Sequence, residues 1–173
     1  MKIFGGNNRL LIIAIAGFIM FGICAEVTMT RDNETTRPDD DRYKEVEKTI
    51  NNCLGWAVEK DFDLFFNTIA DDSDFVSVTP YDRVKFGVEA VKNDTGFWAS
   101  PDFKAIRHEL FDLKITFSQS GDVAWFYCRC DDINEWKGQP ANWENVRWTG
   151  VLEKRDGRWR IVQQHFSFPK ENK

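Results

Sequence analysis

Histidine occurs only twice in the 173 residues, so general acid/base chemistry has few places to start. A histidine changes charge near neutral pH and can give or take a proton during a reaction. His165 belongs to the last of several alternating segments. With Asp156-Gly157 as a two-residue turn, Leu152 faces Ile161, Gly150 faces Gln163 and Trp148 faces His165. That register groups Trp159, Ile161, Leu152, Gln163, Trp148 and His165 on one face. Val151, Val162, Thr149, Gln164, Arg147 and Phe166 fall on the other. His165 then reads either as an acid/base on a concave wall or as a hydrogen-bonded wall residue. The second is favoured, because no carboxylate in the hairpin is placed to orient it. His108, in Ile106-Arg107-His108-Glu109-Leu110, reads as a second pocket histidine or as a satisfied core residue, again with the second favoured.

Asp131, Asp132 and Glu135 could hold a cation, but they fall where a strand nears Gly138 and Pro140, so a solvated loop is expected. The chain has four cysteines, Cys24, Cys53, Cys128 and Cys130. Cys128 and Cys130 share one strand face at the limit of disulfide reach, and a bridge from Cys53 to either would need a helix packed on that strand. Burial as small apolar groups is the expectation. A C-x-C pair without further Cys or His supplies too few ligands for a metal, and no cofactor is expected. Trp56, Trp98, Tyr127 and Trp148, with Gln163 and His165, have the mixture of flat apolar and polar groups that lines small-molecule sites. Trp136 and Trp143 flank the Gly138 loop as a lid or a partner-binding edge.

The elements that must position these groups follow from patterning. Aromatic residues number 25 (15 Phe, 7 Trp, 3 Tyr), which excludes a wholly disordered chain. The net charge of −5 argues against a nucleic-acid partner, which needs a basic face for phosphates. Residues 1–25 pair Lys2 and Arg9 with the uncharged run Leu10 to Ile23 and the small-residue stretch Gly22 to Ala25, the layout of a signal peptide. The run is short for a membrane span, so the chain is expected to be secreted or periplasmic. An uncleaved signal, or a lipid on Cys24, would be its only tie to a membrane. Removing this segment leaves 21 basic against 28 acidic residues, a net −7.

Residues 26–41 are polar and acidic, a flexible tether; a domain over 42–169 and a tail at 170–173 follow. Tyr43, Val46, Ile50, Cys53, Leu54 and Ala57 recur at helical spacing, with Asp39 to Asp41 suited to cap the start. A short helix through Leu64, Phe65 and Ile69 comes next, then a strand at Phe75 to Thr79 and a helix at Gly87 to Asn93. Long strands are expected near 104–117, 123–131, 143–154 and 158–168. Helices first and antiparallel strands after them make an α+β domain, a curved sheet wrapped on helices.

Lys60-Asp61-Phe62-Asp63, Ala70-Asp71-Asp72, Asp74-Phe75-Val76, Gly87-Val88-Glu89-Ala90 and Asp122-Val123-Ala124 come in a telling order. They are completed by Thr149 to Val162 with His165 and Ser167. Together they resemble the nuclear transport factor 2-like superfamily and, within it, the SnoaL-like group. The resemblance implies a cone of helices in a strongly curved antiparallel sheet around a pocket, often dimeric through the sheet. It says little of activity, since such folds include isomerases, dehydratases, cyclases and pure binding modules. Ketosteroid isomerase, a relative whose chemistry rests on a carboxylate base and a tyrosine, would have them at Thr79 and Cys53. Neither side chain can do that work. The sequence therefore points to an exported domain that binds a small apolar or aromatic molecule in its cone. The alternatives are a cofactor-independent lyase or isomerase using His165, assisted by His108 or Tyr127, or a dimeric assembly module with a filled cone.

Overall fold

A computed structural model describes residues 40–170, so the expectations for residues 1–25, for most of the tether, for Cys24 and for the last three residues lie outside the described residues. Helix α1 (Asp41–Gly55) starts where the acids foretold. Asp40 is its N-cap and accepts the Arg42 backbone N–H, satisfying one of the donors a helix start leaves open. Its apolar stripe buries Val46, Ile50 and Cys53. Asp61 caps α2 (Phe62–Phe66) in the same manner, through the Leu64 N–H at 2.9 Å. A small hairpin, β1 (Val76–Val78) and β2 (Val84–Phe86), turns at the Pro80 segment and leads into α3 (Gly87–Lys92) and α4 (Thr95–Ala99). The long strands are β3 (Phe103–Phe117), β4 (Val123–Trp136), β6 (Trp143–Arg155) and β7 (Arg158–Ser167), with the two-residue β5 (Gln139–Pro140) beside β4.

The strands form one sheet in the order β2-β1-β7-β6-β4-β3. All pairings are antiparallel except β1 with β7, which is parallel, so the sheet is mixed where an antiparallel one was expected. The cause is connectivity. The helices and long strands between β1 and β7 return the chain to the β1 edge running the same way. Inside the curl lies the apolar core, built on Val46, Ile50, Ile69, Phe75, Trp148, Leu152 and Ile161, all fully buried. Among the described residues no helix is long and apolar enough to cross a membrane.

The curl comes from bulges, each of which adds a residue to one strand and bends it. They interrupt β3–β4 pairing twice, β4–β6 once and β6–β7 once. The last of these corrects the hairpin register. Asp156 and Gly157 both have positive φ, 51° and 77°, and the first pairs run as expected through Leu152↔Ile161. Val162 is then left over, so Val151 pairs with Gln163, Gly150 with Gln164, Thr149 with His165 and Trp148 with Phe166. A neighbour outside the hairpin holds the slip in place. The Ile161 N–H donates to Thr68 O at 2.8 Å, and the Ala70 N–H donates to Ile161 O at 2.9 Å. The buried Arg160 guanidinium donates to the carbonyls of Phe66 and Ile69, both at 2.9 Å.

Gly150 stands where β6 crosses under Phe126. A Cβ there would lie 2.6 Å from the Phe126 ring and 2.7 Å from Gln163 O. A methyl group at this point must displace both a packed ring and a strand backbone, so Gly150→Ala is expected to cost about 1–3 kcal/mol, read as a lower denaturant midpoint.

Candidate functional site

The concave side of the sheet is not filled. Between it and the helices is a cavity of about 680 Å³. Cys53, Trp56 and Ala57 line it from α1 and the turn after it, Phe65 from α2, and Phe97 and Trp98 from α4. The sheet contributes Ser77, Lys85, Phe103, Asp132, Asn134, Trp143, Gln164 and Phe166. Trp56 stacks on Phe65 with centroids 4.7 Å apart, and Trp98 meets it edge-on at 5.4 Å. The Trp56 indole N–H is spent on Cys53 O at 3.1 Å, so these rings present apolar faces to the cavity.

Most polar groups in the lining already have partners. Gln164 Nε2 donates to Ser77 Oγ at 3.1 Å, while its Oε1 accepts from the Cys53 thiol at 3.8 Å. Lys85 pairs with Asp94 and lies 5.2 Å from the Trp98 ring centroid. Asn134 is different. Its Nδ2 donates to Asp132 O at 3.2 Å, but Oδ1 is buried without a partner. Beside it, burial pushes the Asp132 carboxyl above the usual carboxylate range, partly opposed by a hydrogen bond from the Asn134 side chain.

The residues singled out from the sequence divide sharply. Trp56 and Trp98 line the cavity. His165 does not: the extra residue in β7 inverts every later side chain, so His165 is exposed and Gln164 and Phe166 turn inward in place of Gln163 and His165. Tyr127 is 39% exposed and also outside the cavity. Trp148 is fully buried beneath Phe166, stacked at 5.0 Å, so it backs the wall without reaching the lumen. Trp143 does line the cavity, whereas Trp136 stacks on Phe97 at 4.6 Å.

His108 holds α1 against β3. Its Nε2 is 3.0 Å from Asn51 Oδ1, and its ring packs so tightly on Gly55 that a Cβ there would come within 3.0 Å of it. Partial burial lowers its pKa. The unfolded chain therefore takes up a proton near pH 6.5 before the native state does, and stability falls as pH drops through that value. Thermal unfolding from pH 7 to 5 should show this loss, and His108→Gln should flatten it.

Cys53, Cys128 and Cys130 are buried free thiols. Burial pushes Cys53 and Cys128 to about 12 and raises Cys130 as well, which leaves them unreactive packing groups. Thr79 and Cys53, the positions the resemblance gave to a base and a tyrosine, both line the cavity. The Thr79 hydroxyl donates to Arg83 O at 3.0 Å. Among the described residues no group of three or more His, Cys, Asp or Glu is placed to hold a metal.

A family model described as the SnoaL-like domain matches residues 46–171, the span that builds both sheet and cavity. The chain belongs to the SnoaL-like domain family.

Solved structures share this SnoaL-like fold at low identity. A proposed dehydratase of the nuclear transport factor 2-like family from Streptomyces avermitilis matches with a TM-score of 0.65 at 19% identity, over 78% of this chain and 100% of that one. A proposed calcium/calmodulin-dependent protein kinase II association domain from Xanthomonas campestris gives 0.62 at 21%, over 78% and 93%. A nuclear transport factor 2-like protein of unknown function from Prochlorococcus marinus gives 0.59 at 16%, over 75% and 94%. No curated protein matches significantly.

Within the SnoaL-like domain the groups that sequence reasoning missed are Asp132 and Asn134. Asp132 was expected in a solvated loop and Asn134 was not singled out, but β4 runs on to Trp136. The signal was present: Cys128, Cys130, Asp132, Asn134 and Trp136 continue a period of two, which puts the acid and the amide on the inner face. Asp131, one step out of phase, accepts the Asn145 N–H at 2.7 Å instead.

Proposed function

We propose that this SnoaL-like domain binds a small, largely apolar or aromatic molecule in its cone, and does so as an exported chain. The observation that carries the binding is the cavity of about 680 Å³, walled by Trp56, Phe65, Trp98, Phe103, Trp143 and Phe166 and open to a few polar groups. Cavities of this size and lining are the usual form of small-molecule sites. Such volume argues against the filled-cone module. The export reading rests on the sequence of residues 1–25.

The test is titration with N-phenyl-1-naphthylamine, an uncharged apolar fluorophore. A saturable fluorescence rise at one site per chain is expected, unchanged in His165→Ala. Linear, non-saturating emission would sink the binding reading.

Catalysis through His165 has no support, since that ring is outside the cavity. Two carboxyl groups do line it, Asp94, which is paired with Lys85, and Asp132, whose raised pKa suits proton transfer and favours lyase or isomerase chemistry as a second reading. The fold shared with the proposed Streptomyces avermitilis dehydratase is compatible with it.

Pairing of two copies through the sheet is supported by Trp125 and Tyr127, 47% and 39% exposed on β4. Light scattering should then give a dimer that Trp125→Lys with Tyr127→Lys converts to monomer; a wild-type monomer would end that idea.

A further inference from the structure

An acceptor buried in a cavity wall with nothing to bind is costly. Leaving such a group unpaired is worth about 1–3 kcal/mol of lost solvation. Asn134 is only 6% exposed, and its Oδ1 lacks a partner although the residue lines the cavity. Its orientation is fixed, because Nδ2 must donate to the Asp132 carbonyl, and its own N–H is held by Asn142 Oδ1 at 3.1 Å. The side chain cannot turn its amide round to hide the oxygen.

The group beside it has the same polarity of need. Asp132 occupies the next inward position of β4, and its side chain is also part of the lining. A carboxylate accepts hydrogen bonds and repels anions. Burial and the Asn134 side chain are what act on it, with no cation among the described residues beside them. Of the two positive groups that also line the cavity, Lys85 is already paired with Asp94, and Arg83, just before β2, is exposed to solvent. Phe103 precedes the Asn134 partner Ala105 in β3 by two residues, and Trp143 is directly paired with Asp132. The polar end is thus bordered by flat apolar side chains.

We propose that Asp132 and Asn134 form the head-group subsite of the cavity and select uncharged aromatic molecules that carry a hydrogen-bond donor, such as a primary amide, over the matching carboxylates. The inference rests on the binding reading above and adds to it the chemical class of the ligand. The donor N–H groups of the head satisfy Asn134 Oδ1 and the Asp132 carboxyl, and the aromatic body lies among Phe103, Trp143, Trp98 and Phe166. A carboxylate of the same shape brings only acceptors to acceptors and a negative charge to a negative charge.

The test pairs 2-naphthamide with 2-naphthoate, equal in ring and differing at the head, titrated calorimetrically into the purified chain at pH 7.5. The amide is expected to bind about tenfold or more tightly than the carboxylate. Asn134→Leu, nearly isosteric but without the acceptor, should weaken the amide about five- to tenfold and leave the carboxylate unchanged. Asp132→Asn should strengthen the carboxylate and narrow the gap. Thermal unfolding and far-ultraviolet circular dichroism check that each variant is folded, and Asp132→Asn carries the test by itself where Asn134→Leu fails that check. Equal binding of the two probes, or a preference untouched by the variants, overturns the head-group assignment while cavity binding stands. Failure of all three probes overturns both.

Discussion

Truncating Trp148 to alanine is expected to lower the unfolding free energy by about 3–5 kcal/mol, the scale for removing a large aromatic group from a core. Its ring is fully buried, stacks on Phe166 at an interplanar angle of 16° and meets Phe126 at 89°, both with centroids 5.0 Å apart. Loss of the indole would undercut the wall that presents Phe166 to the cavity. Trp148→Phe should be far milder. The indole Nε1 is buried without a hydrogen-bond partner, so phenylalanine gives up packing volume but also removes a donor whose desolvation is uncompensated. Urea unfolding of the two variants separates these contributions. A phenylalanine variant as unstable as the alanine one would show that the N–H is not the cost assigned to it.

The second large effect concerns binding. Trp98→Ala is expected to weaken N-phenyl-1-naphthylamine by at least about tenfold, because a tryptophan centred in a well-packed site is worth about 2 kcal/mol or more on truncation. Trp98 meets both Trp56 and Phe65 edge-on, at 5.4 and 5.6 Å, and its ring is also faced by Lys85. Tyr127→Ala, on the other side of the sheet, should leave the affinity unchanged. If the two substitutions weaken the probe alike, the fluorophore is not in the cone.

Much of the fold was legible because it rests on local rules. The i, i+4, i+7 spacing of Val46, Ile50 and Cys53 is enough to define a buried helix face, and Asp40 caps it for reasons confined to one turn. Asp156-Gly157 fixes the turn type, and with it the first four pairs of the last hairpin. The inward side of β4 could have been followed as far as Trp136 had the alternation been trusted over the nearby Gly138 and Pro140. The opposite inference, that the acids sit in a solvated loop, came from those two turn residues. A turn signal further along does not end a strand whose inner face borders a cavity.

The chain by itself determined the order of elements, the aromatic supply for a cone, and the lack of a carboxylate between Phe75 and Tyr81 to act as base. Tertiary structure alone decided which side chains face the cavity after Ile161. Strand side chains alternate with a period of two, so a single extra residue reverses all that follow it. Whether that residue is accommodated at Val162 depends on Thr68 and Ala70, more than ninety residues away, which bind the Ile161 backbone. No hairpin-local pattern contains that partner, and it is what turned His165 out and Gln164 and Phe166 in.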